Sequence, residues 1–205
     1  MHINWLGQTC VKLQSKNLKD EDVIILIDGY KPSKGDFPRS FSPNIALFSN
    51  GENNSATLSQ NPLIANTLGE YEAKDTMIYA LPGPDGKLIF KIITEGMTIV
   101  HLGQLNKKLN QDLINQLDNP DILLIPVGGG NYLNPEIAAE MVTTLEPRIV
   151  IPIALQCDTD PKAGTANDFI KQIGLKPEIT EKKIIIKKKD LPQEETKLII
   201  LEKNY

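Results

Sequence analysis

Histidine is the scarcest chemistry-bearing residue here: the 205-residue chain holds only His2 and His101. A catalytic zinc takes about three protein ligands, mostly neutral imidazole, and a two-metal site takes about twice that number. Two imidazoles supply neither, so no metal and no other cofactor is expected. Cysteine is as sparse, and neither Cys10 nor Cys157 has a second Cys or a His at metal-ligand spacing. Both are expected as buried apolar residues of a reducing compartment rather than as a disulfide. No run of roughly 18 apolar residues occurs, which excludes a membrane-spanning helix, and a membrane is not an expected partner. No cationic segment followed by a long apolar stretch opens the sequence, so the expected location is the cytoplasm. With 22 Lys and Arg against 26 Asp and Glu the net charge is −4, and nothing draws the chain to a phosphate backbone. Nucleic acid is therefore not an expected partner.

What is present suits a folded protein: 40% hydrophobic and 23% charged residues suffice for one sizeable core. No internal repeat and no linker divides the chain, so one domain over 1–205 is expected. Alternating and continuous apolar runs predict strands over 2–6, 9–14, 23–28, 44–48, 77–81, 88–94 and 98–102. Asp85-Gly86 suits a turn with positive φ. Residues 29–43 read as turn-rich, and 49–61 as a polar loop after a buried strand. From Leu105 onward the rhythm becomes helix and strand in alternation. Leu109, Leu113, Ile114 and Leu117 share one helical face. Asn134 caps a second helix, with Pro135 at its first position, Glu136 in its first turn and a stripe of Ile137, Met141, Val142 and Leu145. A third helix over 165–173 stops at Gly174, with strands expected over 121–127 and 148–153 and a closing pair over 183–187 and 197–201. The lysines of 182–189 read as solvated flanks of a strand. Strands first and helix-strand units later imply a mixed α/β arrangement of sheets covered by helices.

Several segments together resemble one family. They are Trp5-Leu6-Gly7-Gln8-Thr9-Cys10, the strand end Leu26-Ile27-Asp28, Gly69-Glu70-Tyr71-Glu72, His101-Leu102-Gly103-Gln104, Ile125-Pro126-Val127-Gly128-Gly129 and Glu146-Pro147-Arg148-Ile149-Val150-Ile151-Pro152. In order and spacing they are similar to the metallo-β-lactamase superfamily, in its branch of small bacterial Zn-dependent or metal-dependent hydrolases related to ascorbate-lactone hydrolases. The resemblance spans essentially the whole chain. It implies an α/β fold, a four-layer αββα sandwich whose loops at one edge carry zinc in the relatives. That family carries His-x-His-x-Asp-His directly after a buried strand. Here the stretch reads Asn50-Gly51-Glu52-Asn53-Asn54-Ser55, so Asn50 and Glu52 replace the first two histidines, Asn54 the aspartate and Ser55 the last histidine. Gln104 stands where the family has a metal-binding Asp after Gly. Ala154, in Ile151-Pro152-Ile153-Ala154-Leu155, stands where it has a further His ligand.

The resemblance and the missing ligands imply a catalytically degenerate, metal-free member with a binding, regulatory or scaffold role and no identifiable catalytic residue. Its vestigial site comprises Asp28, Asn50, Glu52, Asn54, Ser55, His101, Gln104 and Ala154 around an empty or water-filled pocket. Asp28 is expected there as the acceptor for Asn50, Ser55 or His101. His101 reads as a satisfied structural histidine near Asp28, and His2 as a half-exposed strand residue. Three alternatives stay open. One is a hydrolase with a non-standard single-metal site on Asp28, Glu52 and His101, whose oxygen ligands favour Mg, Ca or Mn. Another is a metal-free acid-base pair, Glu52 or Asp28 with His101. The third is an anion site at Gly128-Gly129-Gly130 before the Asn134-capped helix, which has neither a Walker lysine nor a G-x-G-x-x-G pattern. The sequence names no partner. Superfamily members often self-associate, and a homo-oligomer is compatible with the resemblance.

Overall fold

Short apolar runs punctuated by polar turns pair into two sheets in the structure, a computed structural model. It describes residues 1–117, 119–180 and 182–205, with residues 179 and 180 described through their backbone alone. The strand-rich first half gives β1 (His2–Gly7), β2 (Cys10–Lys16), β3 (Asp22–Ile27), β4 (Ser40–Phe41), β5 (Ile45–Leu47), β6 (Thr57–Leu58), β7 (Leu63–Ala65), β8 (Gly69–Ala73), β9 (Thr76–Pro82), β10 (Leu88–Thr94) and β11 (Met97–His101). The second half adds α1 (Gln111–Leu117), β12 (Ile122–Pro126), α2 (Pro135–Leu145), β13 (Ile149–Ile153), α3 (Ala166–Ile173), β14 (Pro177–Thr180), β15 (Ile184–Ile185) and β16 (Lys197–Leu201).

One sheet has the order β15-β1-β2-β3-β5-β7, and the other β14-β16-β13-β12-β11-β10-β9-β8. Each changes from antiparallel to parallel pairing partway across, at β3 in the first and β11 in the second. Alternation along the strands decides which faces meet. Val23, Ile25 and Ile27 of β3 enter the shared core with Ile78, Phe90, Ile92 and Ile99 of the other sheet, while Leu26 points the opposite way. The strands β12 and β13 are buried throughout, as expected for parallel strands covered on both faces.

The helices follow their local signals. Asn134 accepts a hydrogen bond from the Glu136 amide at 2.9 Å with Pro135 in the first turn, and α2 buries Ala138, Met141, Val142 and Leu145 against the sheet. Gly174 closes α3 at φ 69°. The first helix begins two residues later than Leu109 because the Asn110 side chain accepts from the Leu113 amide at 2.9 Å. Among the described residues the three α-helices lie between β11 and β14, in connections of the eight-stranded sheet. Outside the six-stranded sheet the covering layer is segment 29–43 with the small β4–β6 pair, which packs Tyr30, Phe37, Phe41 and Leu58 onto Leu6, Cys10 and Leu26.

Some expectations shift. Gly69-Glu70-Tyr71-Glu72, which none of the expected strands includes, lies in the edge strand β8. The closing strands do not pair with each other: β15 joins β1, whereas β16 lies between β13 and β14. The strand β14 begins at a proline, which masks it in the sequence. Asp85 and Gly86 do adopt positive φ, 57° and 74°. Among the described residues no helix is long and apolar enough to cross a membrane.

Candidate functional site

The carboxyl ends of β3, β5, β11, β12 and β13 lead into Asp28, Ser49, Leu102, Val127 and Ala154. Backbone hydrogen bonds stitch the two sheets together along this edge. The Leu88 amide donates to the Ser49 carbonyl oxygen at 2.7 Å, and the Ala154 amide donates to the Gln8 carbonyl oxygen at 2.8 Å. Both join segments of different sheets, which brings the segments after β3, β5 and β13 to a common edge of the sandwich.

His101 ends β11 with no exposed surface. Its Nδ1 accepts from the Gly103 amide at 3.0 Å, so the proton of the neutral ring belongs on Nε2, which donates to the Thr9 carbonyl oxygen at 2.9 Å. Burial pushes its pKa below the usual histidine value, against a smaller opposing pull from the Asp28 charge. A neutral ring with both nitrogens engaged has no lone pair to give an ion. Gly103 makes the turn possible: at φ 57° a Cβ there would lie 2.5 Å from the Ser49 Cβ and 2.7 Å from the Leu88 carbonyl oxygen.

Asp28 follows β3 with φ 50° and is 7% exposed. Its Oδ1 accepts from the Ser49 amide at 2.6 Å and its Oδ2 from the Ser49 hydroxyl at 2.7 Å. The acceptor role expected of Asp28 is therefore real, but the donor is Ser49 rather than Asn50, Ser55 or His101. The other residues separate by burial. Asn50 is exposed and donates to Gln104 Oε1 at 3.1 Å. Glu52 is exposed and accepts from Asn66 at 2.6 Å. Asn54, at φ 63°, donates to the Lys31 carbonyl oxygen at 2.7 Å. Ser55 is half-buried and bridges to Tyr30, while Ala154 is fully buried at φ 57°. The eight residues thus do not line one pocket as expected, since Asp28, His101 and Ala154 lie inside and Asn50, Glu52 and Asn54 on the surface. A groove of about 800 Å³ lies instead among Asp121, Arg148 and Thr196, at the amino ends of β12, β13 and β16, and none of the eight lines it.

Side chains that carry no family signal fill the remaining space. The Tyr30 hydroxyl lies 2.7 Å from the Thr159 hydroxyl, which is also 3.3 Å from the Cys157 sulfur, and Tyr132 donates to Asp160 at 3.4 Å. Burial raises the phenols of both tyrosines, with Asp160 adding to the effect at Tyr132, so neither is poised to ionise. Burial, helped by the Asp28 charge, raises the Cys10 thiol as well. Cys157 is only half-buried, which corrects the expectation of two buried thiols, and both cysteines are free.

The donors do not fit zinc. Among the described residues no three His, Cys, Asp or Glu side chains gather at metal-binding positions, and Ala154 offers no donor atom. The alternative set of Asp28, Glu52 and His101 is not brought together either: Glu52 is held outward by Asn66, and His101 has no free nitrogen. The triple-glycine turn has also used an amide that an anion would need, because Gly129 donates to the Leu133 carbonyl oxygen at 3.0 Å.

Two facing mixed sheets, helices on the parallel half and loops gathered at the strand carboxyl ends define the metallo-β-lactamase class of fold. The chain belongs to the beta-lactamase superfamily, whose domain matches residues 2–154. It is 33% identical over 91 residues to a UPF0173 metal-dependent hydrolase of Thermococcus onnurineus, a match covering 44% of this chain and 40% of that protein. To the UPF0173 metal-dependent hydrolase of Methanopyrus kandleri it is 22% identical over 196 residues, covering 75% of this chain and 83% of that one. The structure of a candidate Zn-dependent hydrolase of the superfamily from Thermotoga maritima superposes with a TM-score of 0.81 at 20% identity, over 98% of this chain and 100% of the other. The metallo-β-lactamase fold protein YhfI of Bacillus subtilis gives 0.63 at 10% identity, over 100% and 98%.

Proposed function

We propose that this chain is a metal-free, catalytically degenerate member of the superfamily, acting as a binding or scaffold protein rather than a hydrolase. The observation that carries the proposal is the occupation of His101. A buried neutral imidazole with one nitrogen accepting from Gly103 and the other donating to Thr9 would have to break a hydrogen bond to bind an ion, stranding a buried backbone group. Asp28 is bonded by Ser49 through both carboxylate oxygens, which supports the same reading. So do the neutral side chains of Asn50 and Gln104, which bond each other, and of Asn54, which bonds the Lys31 carbonyl, without a cation to balance. A single-domain chain working in a reducing cytoplasm belongs to this proposal, in keeping with one core cluster shared by both sheets and two free thiols.

Elemental analysis of protein purified without chelator or affinity-tag metal, joined to a panel of phosphodiester, lactone and β-lactam substrates, tests it. The expected result is no stoichiometric metal and no turnover. Stoichiometric metal together with hydrolysis that a chelator abolishes would overturn it.

A further inference from the structure

The layer over the six-stranded sheet is unusual in being a strap rather than a helix. Segment 29–43 leaves β3 and crosses the outer face, where Tyr30 and Phe37 meet at a tilt of 46° with ring centroids 4.3 Å apart and Phe41 lies edge-on, 5.7 Å from Phe37. These rings cover Leu6, Cys10 and Leu26, leaving Cys10 without exposed surface. The apolar burial that holds these rings down is non-directional.

The polar attachments are concentrated. Among the described residues, Asp36 supplies the hydrogen bonds that tie 32–39 to the rest of the chain. Its amide donates to Asp158 Oδ2 at 2.8 Å, and its carbonyl oxygen accepts from the Lys203 ammonium. The same ammonium donates to Asp158 Oδ1 at 2.6 Å. Lys203 follows β16 and Asp158 follows β13, so one cation joins the strap to two segments that leave strands of the other sheet. The Lys203 side chain is 8% exposed, and a charge so far removed from water depends on those two acceptors. Gly7 lets the groups converge: a Cβ there would lie 2.6 Å from the Tyr30 hydroxyl, 2.8 Å from the Thr159 hydroxyl and 3.4 Å from the Lys203 Cε.

We propose that residues 32–39 form a lid clamped by Lys203, and that releasing the clamp lifts Phe37 away from Leu6, Cys10 and Leu26 while both sheets stay folded. The proposal is independent of whether the chain binds metal. Its energetic basis is a contrast along the strap: Tyr30 bonds Thr159, Lys31 bonds Asn54 and Phe41 pairs with β6, whereas among the described residues 32–39 is tied through Asp36, which places that stretch among the elements that open first.

Thiol reactivity reads this directly, because Cys10 lies under the lid and the only other thiol can be removed. In a Cys157→Ser background, Cys10 is reacted with an aromatic disulfide reagent at a series of urea concentrations below the unfolding transition. A lid opening locally gives a rate nearly independent of urea, since little surface is exposed in the event. Lys203→Gln is expected to raise that rate by about tenfold or more, the loss of a charge-assisted hydrogen bond. Asp158→Asn, which keeps an acceptor for the Asp36 amide, is expected to raise it less. Lys107→Gln, which breaks a remote surface pair with Asp85, should leave it unchanged. In the unsubstituted chain the same event is the slower of two thiol phases, so the test stands even if a clamp variant fails to fold. A Cys10 rate that rises with urea as steeply as global unfolding, or equal rates in Lys203→Gln and Lys107→Gln, would overturn the proposal.

Discussion

Ser49 bonds both oxygens of Asp28, its amide 2.6 Å from Oδ1 and its hydroxyl 2.7 Å from Oδ2. The pair locks the carboxyl end of β3 to that of β5 inside the protein, where the carboxylate has little access to water. Ser49→Ala removes the hydroxyl and leaves one oxygen of a buried carboxylate short of a partner. The expected cost is about 1.5–3 kcal/mol, read as a lower urea midpoint at unchanged m.

His101 ties stability to pH. Burial sets its folded pKa below the unfolded value of 6.5, so the unfolded chain takes up the proton first as the solution is acidified. The neutral ring's contribution is complete above about pH 6.5 and declines as pH falls from there toward the folded pKa, with a slope of at most about 1.4 kcal/mol per pH unit. Urea melts of the unsubstituted chain and of His101→Gln across pH 5 to 8 (about the range in which histidine titrates) check this. The variant should lose that part of the slope.

Gly103→Ala tests how tightly the turn after β11 is packed. A methyl group at φ 57° would sit within 2.5 Å of the Ser49 Cβ, combining left-handed strain with overpacking. The expected loss is about 2–5 kcal/mol, measured by thermal or urea unfolding.

Added zinc gives a fourth prediction. An ion that binds the folded chain raises its melting temperature in proportion to the logarithm of its excess over Kd. Because His101 has no free nitrogen and no three suitable side chains gather among the described residues, zinc titrated into the protein should leave the melting temperature unmoved. Differential scanning fluorimetry reads this out.

Much of the scaffold is legible in the sequence because long apolar runs leave few options. The predicted strands over 88–94 and 197–201 coincide with β10 and β16, and Asn134 and Gly174 mark helix ends where the structure has them. Strands as short as β6 and β7, of two and three residues beside polar stretches, show no periodicity to stand out. The same contrast holds at the candidate site. Asp28, His101 and Ala154 are recognisable as strand ends that converge on one edge, but what each touches is not. The partner of His101 is a backbone carbonyl 92 residues away, that of Asp28 is a serine 21 residues away, and Lys203 reaches Asp36 across 167 residues. Serine hydroxyls, lone lysines and backbone carbonyls have no periodicity, so only the folded chain reveals what they engage.

The most direct test of the metal-free reading is the protonation of one ring. Nitrogen-15 NMR of the His101 side chain, recorded before and after adding zinc, reports which nitrogen carries the proton and whether either coordinates. The expected result is a neutral Nε2–H ring, bonded to Thr9, whose signals zinc does not move. Loss of the Nε2 proton or a metal-dependent shift of either ring nitrogen would contradict it.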